Sequence, residues 1–186
     1  VSMSAFRSTC AGFNPLAKLS VLALAAAAST VWAAEPLIVG VQAPITGQYA
    51  NEGQGIADAV KLLVKQQNAK GGLLGRQLEV KVCDDQGQAA PAAICARQLI
   101  NDKAFAIIGS YTSGAALAAL SLYARANVIQ TSDGTSDELT AKGVKTFFRN
   151  APPNSAEAVF TAQYFKDKGY KKVAIVTDHS SFATGL

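Results

Sequence analysis

The residues with the clearest chemical potential form a loop of small and hydroxylated side chains, GSYTSG, between Gly109 and Gly114. Ser113 occupies the predicted N-cap of the following helix, where its hydroxyl can accept a hydrogen bond from one of the first helical N–H groups. The other N–H groups and the helix dipole favour a bound anion, such as a carboxylate. The loop by itself leaves two interpretations open, a structural helix cap and an anion-binding site.

A strand and a helix must position this loop. Residues 105–108 form an apolar run, and a helical pattern follows from Ser113 to Ala126. Predicted strands cover 37–41, 78–82, 105–108, 128–131, 146–149 and 171–177, and predicted helices cover 52–69, 88–103, 113–126 and 156–168, with one or two helical turns at 136–143. This alternation predicts an α/β fold in which helices cover a parallel sheet on both faces.

Ligands of such open sheets bind beyond the carboxyl ends of the strands. All of the predicted loops at that edge except 84–88 combine small residues with hydroxyl, amide or aromatic side chains. This combination is typical of a small-ligand pocket. The predicted loops are 43–53, 84–88, 110–113, 132–137 and 150–155.

Composition argues against several other functions. The 186 residues are 49% hydrophobic and 16% charged, with a formal net charge of +4, and no cluster of Lys and Arg interleaves with aromatic residues. Nucleic-acid binding is therefore disfavoured. The sequence has one histidine, His179, and no group of residues at metal-ligand spacing, so we expect neither a metal site nor a catalytic triad. We expect no enzyme activity and no cofactor.

Residues 1–33 are predicted to be a secretory signal peptide. The basic residues Arg7 and Lys18 precede an apolar run at 19–28, and small residues follow at 31–33 where a signal peptidase cleaves. We therefore expect a periplasmic protein whose mature chain starts near Ala34.

Export makes Cys83 and Cys95 a candidate disulfide, since disulfides persist in oxidising compartments. The strand pattern places Cys83 on the face opposite Leu78 and Val80, whereas Cys95 falls on an apolar helix stripe. A bridge would require the strand to twist or to end at Cys83. A disulfide and two separate buried thiols both stay open.

The segment NAPPNS, residues 150–155, is a predicted domain boundary, because its two prolines cannot continue a strand ladder. We expect one lobe over residues 34–153 and the start of a second lobe over residues 154–186. The second pattern stops soon after it begins, so we expect the sequence to be a fragment of a longer protein.

Four stretches together carry a resemblance to a known family: residues 37–85, residues 104–143, FFRNAPPNS and VAIVTDHSSFATGL. In this order the sequence resembles the N-terminal half of the periplasmic branched-chain amino acid binding proteins of ABC transporters, the Leu/Ile/Val-binding family. The resemblance implies a type I periplasmic-binding-protein fold, with lobe one and the start of lobe two. It also implies that an amino acid is captured between two lobes and delivered to a membrane permease.

The resemblance further implies roles for individual residues. Ser113 matches the serine that holds the ligand carboxylate, Thr135 matches a second hydroxyl donor, and Asp133 matches a residue whose carbonyl meets the ammonium group. The neighbouring residues of both loops complete this part of the predicted ligand-binding set; they are Tyr111, Thr112 and Gly134.

Three further members of the set depart from the family pattern. Glu52 lies where an aromatic residue often lines the pocket, Asn154 replaces an aspartate, and Phe182 replaces a tyrosine that covers the ligand. With Asp133, Glu52 favours a ligand that carries an extra cationic or amide group, unless both face solvent. A ligand sensor of the same fold and, with less support, a Rossmann-like enzyme are the alternative functions.

Overall fold

The computed structural model describes residues 34–186. The predicted signal peptide lies outside these residues. The strands are β1 (Leu37–Ala43), β2 (Leu78–Asp84), β3 (Ala104–Ile108), β4 (Ile129–Ser132) and β5 (Phe147–Arg149). The helices are α1 (Ala50–Ala69), α2 (Ala89–Asn101), α3 (Ser113–Arg125), α4 (Glu138–Ala141) and α5 (Asn154–Asp167), followed by a 3-10 turn at Ala183–Gly185.

The five strands form one sheet in the order β2-β1-β3-β4-β5, and every neighbouring pair is parallel. The chain moves outward from β1 to β2, returns across β1 to β3, and then continues to β4 and β5. The strand order therefore reverses between β1 and β3, which creates a crevice at their carboxyl ends. The predicted parallel sheet is confirmed.

Helices cover the two faces of the sheet because successive strand residues point in opposite directions. Val39 and Val41 of β1 pack against α1, in a cluster that includes Val60. Ile38 packs on the other face, in a cluster that includes Leu99 of α2 and residues of α3. A third cluster joins α3, α4 and β5. This arrangement confirms the prediction that helices lie on both faces.

Cys83 and Cys95 form a disulfide, which links β2 to α2. Of the two expected ways to form this bridge, an end of the strand at Cys83 was wrong, because β2 continues through Cys83 to Asp84. Cys83 does lie on the face opposite Leu78 and Val80, but α2 covers that face and brings Cys95 within bonding distance. The alternation of apolar residues along β2 indicated only one buried face, whereas helices cover both faces of the strand.

The predicted strand at 171–177 is not formed within the described part of the chain. Its apolar residues are exposed, and Val176 is 98% accessible to solvent. A strand exists only where a neighbour supplies ladder hydrogen bonds, and no described strand pairs with this segment. Residues 171–177 thus have the composition of a strand but no neighbouring strand to pair with in the described part of the chain.

Helices α1 and α5 each begin two residues earlier than predicted, at Ala50 and Asn154. In residues 34–186, no helix has the length and apolar character needed to cross a membrane. The predicted lobe boundary falls at the start of α5 and stays a prediction.

Candidate ligand-binding site

A cavity of about 350 Å³ lies at the carboxyl ends of β1 to β4, where the strand order reverses. Loops that follow these four strands form most of its wall, and the segment before the 3-10 turn forms the rest. The lining residues are Tyr49, Gly87, Tyr111, Thr112, Ser113, Gly114, Asp133, Thr135, Asp178, Ser180, Ser181 and Phe182.

One end of the cavity is the start of α3. Thr112 is the N-cap, because its backbone is extended and its hydroxyl accepts a hydrogen bond from the backbone N–H of Ala115. The prediction that Ser113 caps the helix was therefore wrong by one residue. The same Thr112 hydroxyl donates to the carbonyl of Gly87 at 2.8 Å, so its hydrogen-bonding capacity is used within the protein.

Ser113 instead connects α3 to the loop after β4. Its Oγ accepts hydrogen bonds from the backbone N–H groups of Thr135 (3.1 Å) and Ser136 (3.2 Å). The Ser113 hydroxyl hydrogen remains available for donation, and the buried Thr135 Oγ1 has no partner among the described residues. Both side chains line the cavity, so two hydroxyl groups can donate to one ligand.

The start of α3 adds backbone donors to these hydroxyls. Within residues 34–186, the N–H groups of Ser113 and Gly114 donate to no protein acceptor, and both residues line the cavity. Unpaired N–H groups and the positive end of the helix dipole attract an anion by about 0.3 to 2 kcal/mol. This end of the cavity is suited to a carboxylate.

Arg149 supports the loop that carries Thr135. Its Nη1 donates to the carbonyls of Thr135 (3.0 Å) and Ser136 (2.9 Å), and its Nη2 donates to the Thr140 hydroxyl. The backbone N–H of Asn154 donates to the same Thr135 carbonyl at 2.8 Å. These bonds fix the conformation of the loop that carries Thr135.

Gly134 lies behind the cavity and does not line it. Its N–H donates to the Ser132 hydroxyl at 2.9 Å. A Cβ at Gly134 would lie 2.8 Å from the Leu139 side chain and 3.3 Å from the Cα of Ser113. Gly134 thus allows the β4 loop to approach α3 closely, which is the contact that Ser113 uses.

Two other predicted site residues lie outside the cavity wall. Glu52 is exposed in the first turn of α1, and Tyr49, three residues earlier, lines the cavity instead. Asn154 is fully buried, and its Nδ2 donates to the carbonyl of Phe182 at 2.6 Å. Asn154 therefore connects Phe182 to Thr135, and both of these residues line the cavity.

The cavity carries negative charge. Asp133 and Asp178 line it, and no Lys, Arg or His is among its described lining residues. Hydrogen bonds from the backbone N–H and hydroxyl of Ser180 lower the pKa of Asp178 below its ordinary value, so this carboxyl is ionised at neutral pH. A ligand with a cationic group is favoured near these two side chains.

A buried polar network lies beneath the site. The Tyr123 hydroxyl donates to Gln42 at 2.6 Å, Gln42 donates to Asp85 at 3.2 Å, and Asp85 accepts the N–H of Gly87 at 2.9 Å. Burial raises the pKa of Asp85, although the bonds from Gly87 and Gln42 oppose that rise. The network holds Gly87 at the cavity wall.

Sequence reasoning placed six of its nine ligand-binding candidates at the cavity: Tyr111, Thr112, Ser113, Asp133, Thr135 and Phe182. It missed Tyr49, Gly87, Gly114 and the segment 178–181. Tyr49 and Gly87 lie in loops that were already predicted at the ligand edge, so their position was the available signal. No comparable signal marked residues 178–181.

In residues 34–186, no group of three or more His, Cys, Asp or Glu is placed to hold a metal ion.

The family described as "Periplasmic binding protein" matches residues 36–186. The chain belongs to the periplasmic binding protein family. This confirms the predicted resemblance, and the family is one of solute-binding proteins. The Leu/Ile/Val-binding protein BraC3 of Rhizobium johnstonii is 30% identical over 155 residues, which cover 81% of this chain and 41% of that protein.

Solved structures of periplasmic binding proteins share the fold. LivJ from Streptococcus pneumoniae, in complex with isoleucine, has 32% identity and a TM-score of 0.61, covering 64% of this chain and 35% of that one. A solute-binding protein of an ABC transporter from Rhodopseudomonas palustris, in complex with 3,4-dihydroxy benzoic acid, has 27% identity and a TM-score of 0.71, covering 81% and 41%. The predicted type I fold is confirmed. The chain spans about two fifths of the curated relatives that it matches.

Proposed function

We propose that this chain is the ligand-binding part of an extracytoplasmic solute-binding protein of an ABC transporter, and not an enzyme. Its ligand is an amino acid, branched-chain or related, that binds in the cavity at the start of α3. The BraC3 relative is named for Leu, Ile and Val, and LivJ was solved with isoleucine, which supports an amino acid ligand.

The observation that carries this proposal is the convergence of four donors on one end of the cavity. The hydroxyls of Ser113 and Thr135 and the N–H groups of Ser113 and Gly114 all border the same space. A carboxylate offers several acceptor positions and a negative charge, so it can satisfy these donors together. We therefore place the α-carboxylate of the ligand here.

The acidic side of the cavity supports an α-ammonium group on the same ligand. Asp133 follows β4 and Asp178 follows the exposed segment 171–177, so the two carboxyls reach the cavity from different parts of the chain. A cation near an ionised carboxylate makes a charge-assisted hydrogen bond, which is stronger than a neutral one. A zwitterion thus matches the donors and the carboxyls that line this cavity.

Membership of the family supports delivery to a membrane permease and closure of two lobes around the ligand. We include both in the proposal, together with a periplasmic location. Binding by the lobe described here would be the first step of transport.

A thermal-shift screen of the full chain against the common amino acids and small carboxylates tests the proposal. A ligand at 100 times its dissociation constant stabilises the folded state by about 2.7 kcal/mol. We expect a rise in Tm with an amino acid and a much smaller rise with the carboxamide of the same amino acid, because the carboxamide lacks the negative charge. Equal shifts with acid and amide would contradict the carboxylate site, and no shift with any compound would contradict amino acid capture.

A further inference from the structure

We propose that Asp85 is a positioning residue for ligand binding: without contacting the ligand, it aligns the start of α3 through Gly87 and Thr112. This inference rests on the proposed function, and it gives a role to a residue behind the cavity wall. Asp85 is fully buried and does not line the cavity, whereas Gly87 and Thr112 both line it. Two hydrogen bonds lead from the Asp85 carboxylate to the helix that supplies donors for the ligand.

The first of these bonds fixes a turn between β2 and α2. Gln86 and Gly87 both have left-handed backbone conformations, with φ of +52° and +69°. This conformation is unfavourable for a residue with a side chain, so surrounding contacts must hold it. The Asp84 carboxylate accepts the N–H of Gln86 at 2.9 Å, and the Asp85 carboxylate accepts the N–H of Gly87 at 2.9 Å. The two adjacent carboxylates thus each hold one residue of the turn.

The second bond connects this turn to α3. The carbonyl of Gly87 accepts a hydrogen bond from the Thr112 hydroxyl at 2.8 Å, and the oxygen of the same hydroxyl accepts the N–H of Ala115. Because one oxygen takes part in both bonds, a shift of Gly87 displaces the cap of α3. The N–H groups of Ser113 and Gly114, which we assign to the ligand carboxylate, follow directly after this cap.

Asp85 is itself held by α3 through a second route. Gln42 donates to the other oxygen of the Asp85 carboxylate at 3.2 Å, and the Tyr123 hydroxyl donates to Gln42 at 2.6 Å. All three side chains are fully buried, and Tyr123 lies in the last turn of α3. Hydrogen bonds therefore link Asp85 to both ends of this helix, at Tyr123 and at Thr112. The direction of α3 and the position of its first N–H groups depend on this one carboxylate.

The role of Asp85 is to supply two acceptors, because each of its oxygens faces one N–H donor. Asparagine keeps one oxygen for the N–H of Gly87, and its NH2 group can donate to Gln42 once the Gln42 amide turns over. Alanine removes both acceptors and leaves two buried donors unpaired. The two substitutions should therefore have different effects on ligand binding.

Titration of the full chain with L-leucine and L-leucinamide tests this inference. Asp85→Ala should weaken leucine binding by about 2- to 30-fold. It should weaken leucinamide binding less, because the carboxamide lacks the negative charge that the aligned N–H groups attract. Asp85→Asn should bind leucine within about 2-fold of wild type. Asp58→Ala, on the exposed side of α1, is the control and should change neither affinity.

A double-mutant cycle with Thr112 tests the route from Asp85 to the ligand. In a Thr112→Val background, Asp85→Ala should weaken leucine binding by less than about 2-fold further, because the bond to Gly87 is already absent. In a Thr112→Ser background, which keeps the hydroxyl, the full loss should return. Tyr123→Phe removes a single oxygen from the same network, and it replaces Asp85→Ala in the cycle if that variant does not fold.

A loss that is larger for leucine than for leucinamide, restored by Asp85→Asn and absent in the Thr112→Val background, supports the inference. Equal losses for the two compounds, or losses that add in the Thr112→Val background, would overturn it and leave the proposed function standing. Failure of wild type to bind leucine, with no shift in the amino acid screen, would overturn both.

Discussion

The backbone N–H of Thr135 donates a 3.1 Å hydrogen bond to the hydroxyl oxygen of Ser113, across 22 positions of sequence. This bond joins the loop after β4 to the first turn of α3, and both residues line the same cavity. It orients the Ser113 hydroxyl so that its hydrogen is free for a ligand.

Ser113→Ala should weaken ligand binding by about 5- to 150-fold, because it removes a hydroxyl donor and leaves the buried N–H of Ser136 and the partly buried N–H of Thr135 without their acceptor. Calorimetric titration with the amino acid found by thermal shift measures the effect. Ser121→Ala, on the exposed side of α3, is the matched control and should bind as wild type does. Unchanged affinity in Ser113→Ala would exclude Ser113 from the carboxylate site.

Arg149→Lys should reduce affinity several-fold and lower the free energy of unfolding by about 1 to 3 kcal/mol. A lysine ammonium cannot reproduce the planar fork that contacts the Thr135 and Ser136 carbonyls and the Thr140 hydroxyl. Denaturant unfolding and ligand titration measure the two effects separately. Arg125→Lys, at the exposed end of α3, serves as the control. Wild-type affinity in Arg149→Lys would show that the hydrogen bonds from Arg149 to this loop do not affect ligand binding.

Asp137→Asn should destabilise the protein in a pH-dependent manner. The Ser155 hydroxyl and N–H donate to the Asp137 carboxylate and lower its pKa from the ordinary value of 3.8. A depressed pKa contributes stability above the unfolded-state pKa, and this contribution is lost as the pH falls through the folded-state pKa. We expect the difference in Tm from wild type to be largest near pH 7 and to shrink below about pH 4.

Thermal unfolding across this pH range measures that difference. Asp58→Asn, which alters an exposed pair with Lys61 on α1, is the control and should shift Tm little at any pH. A constant Tm difference between Asp137→Asn and wild type at all pH values would rule out the carboxylate as the source of the stability.

Replacing Cys83 and Cys95 by serine should lower the free energy of unfolding by about 3 kcal/mol, since the bridge closes a loop with a sequence separation of 12. Denaturant unfolding in the presence and absence of a reductant measures this. Reductant should destabilise wild type and leave the double variant unchanged. Equal stability of wild type with and without reductant would mean that the bridge contributes nothing.

The predicted elements were largely correct because each depends on local patterns. Buried strands and amphipathic helices alternate in the sequence, and β1 to β5 and α1 to α5 follow that alternation. The errors occurred where a pattern depends on neighbours. Residues 171–177 have the composition of a strand, yet no described strand pairs with them. Cys83 looked misplaced because a single strand does not show that α2 covers its second face.

The sequence by itself determined the family, the parallel α/β fold and the loops that carry the ligand-binding candidates, since these depend on residue types and their order along the chain. Only the tertiary structure decided which side chains meet. In the structure Tyr49, and not Glu52, lines the cavity, and Thr112 is the N-cap of α3. The Ser113 hydroxyl lies between the start of α3 and the loop after β4. Helix starts and side-chain directions change with shifts of one or two residues, and packing between distant segments fixes those shifts.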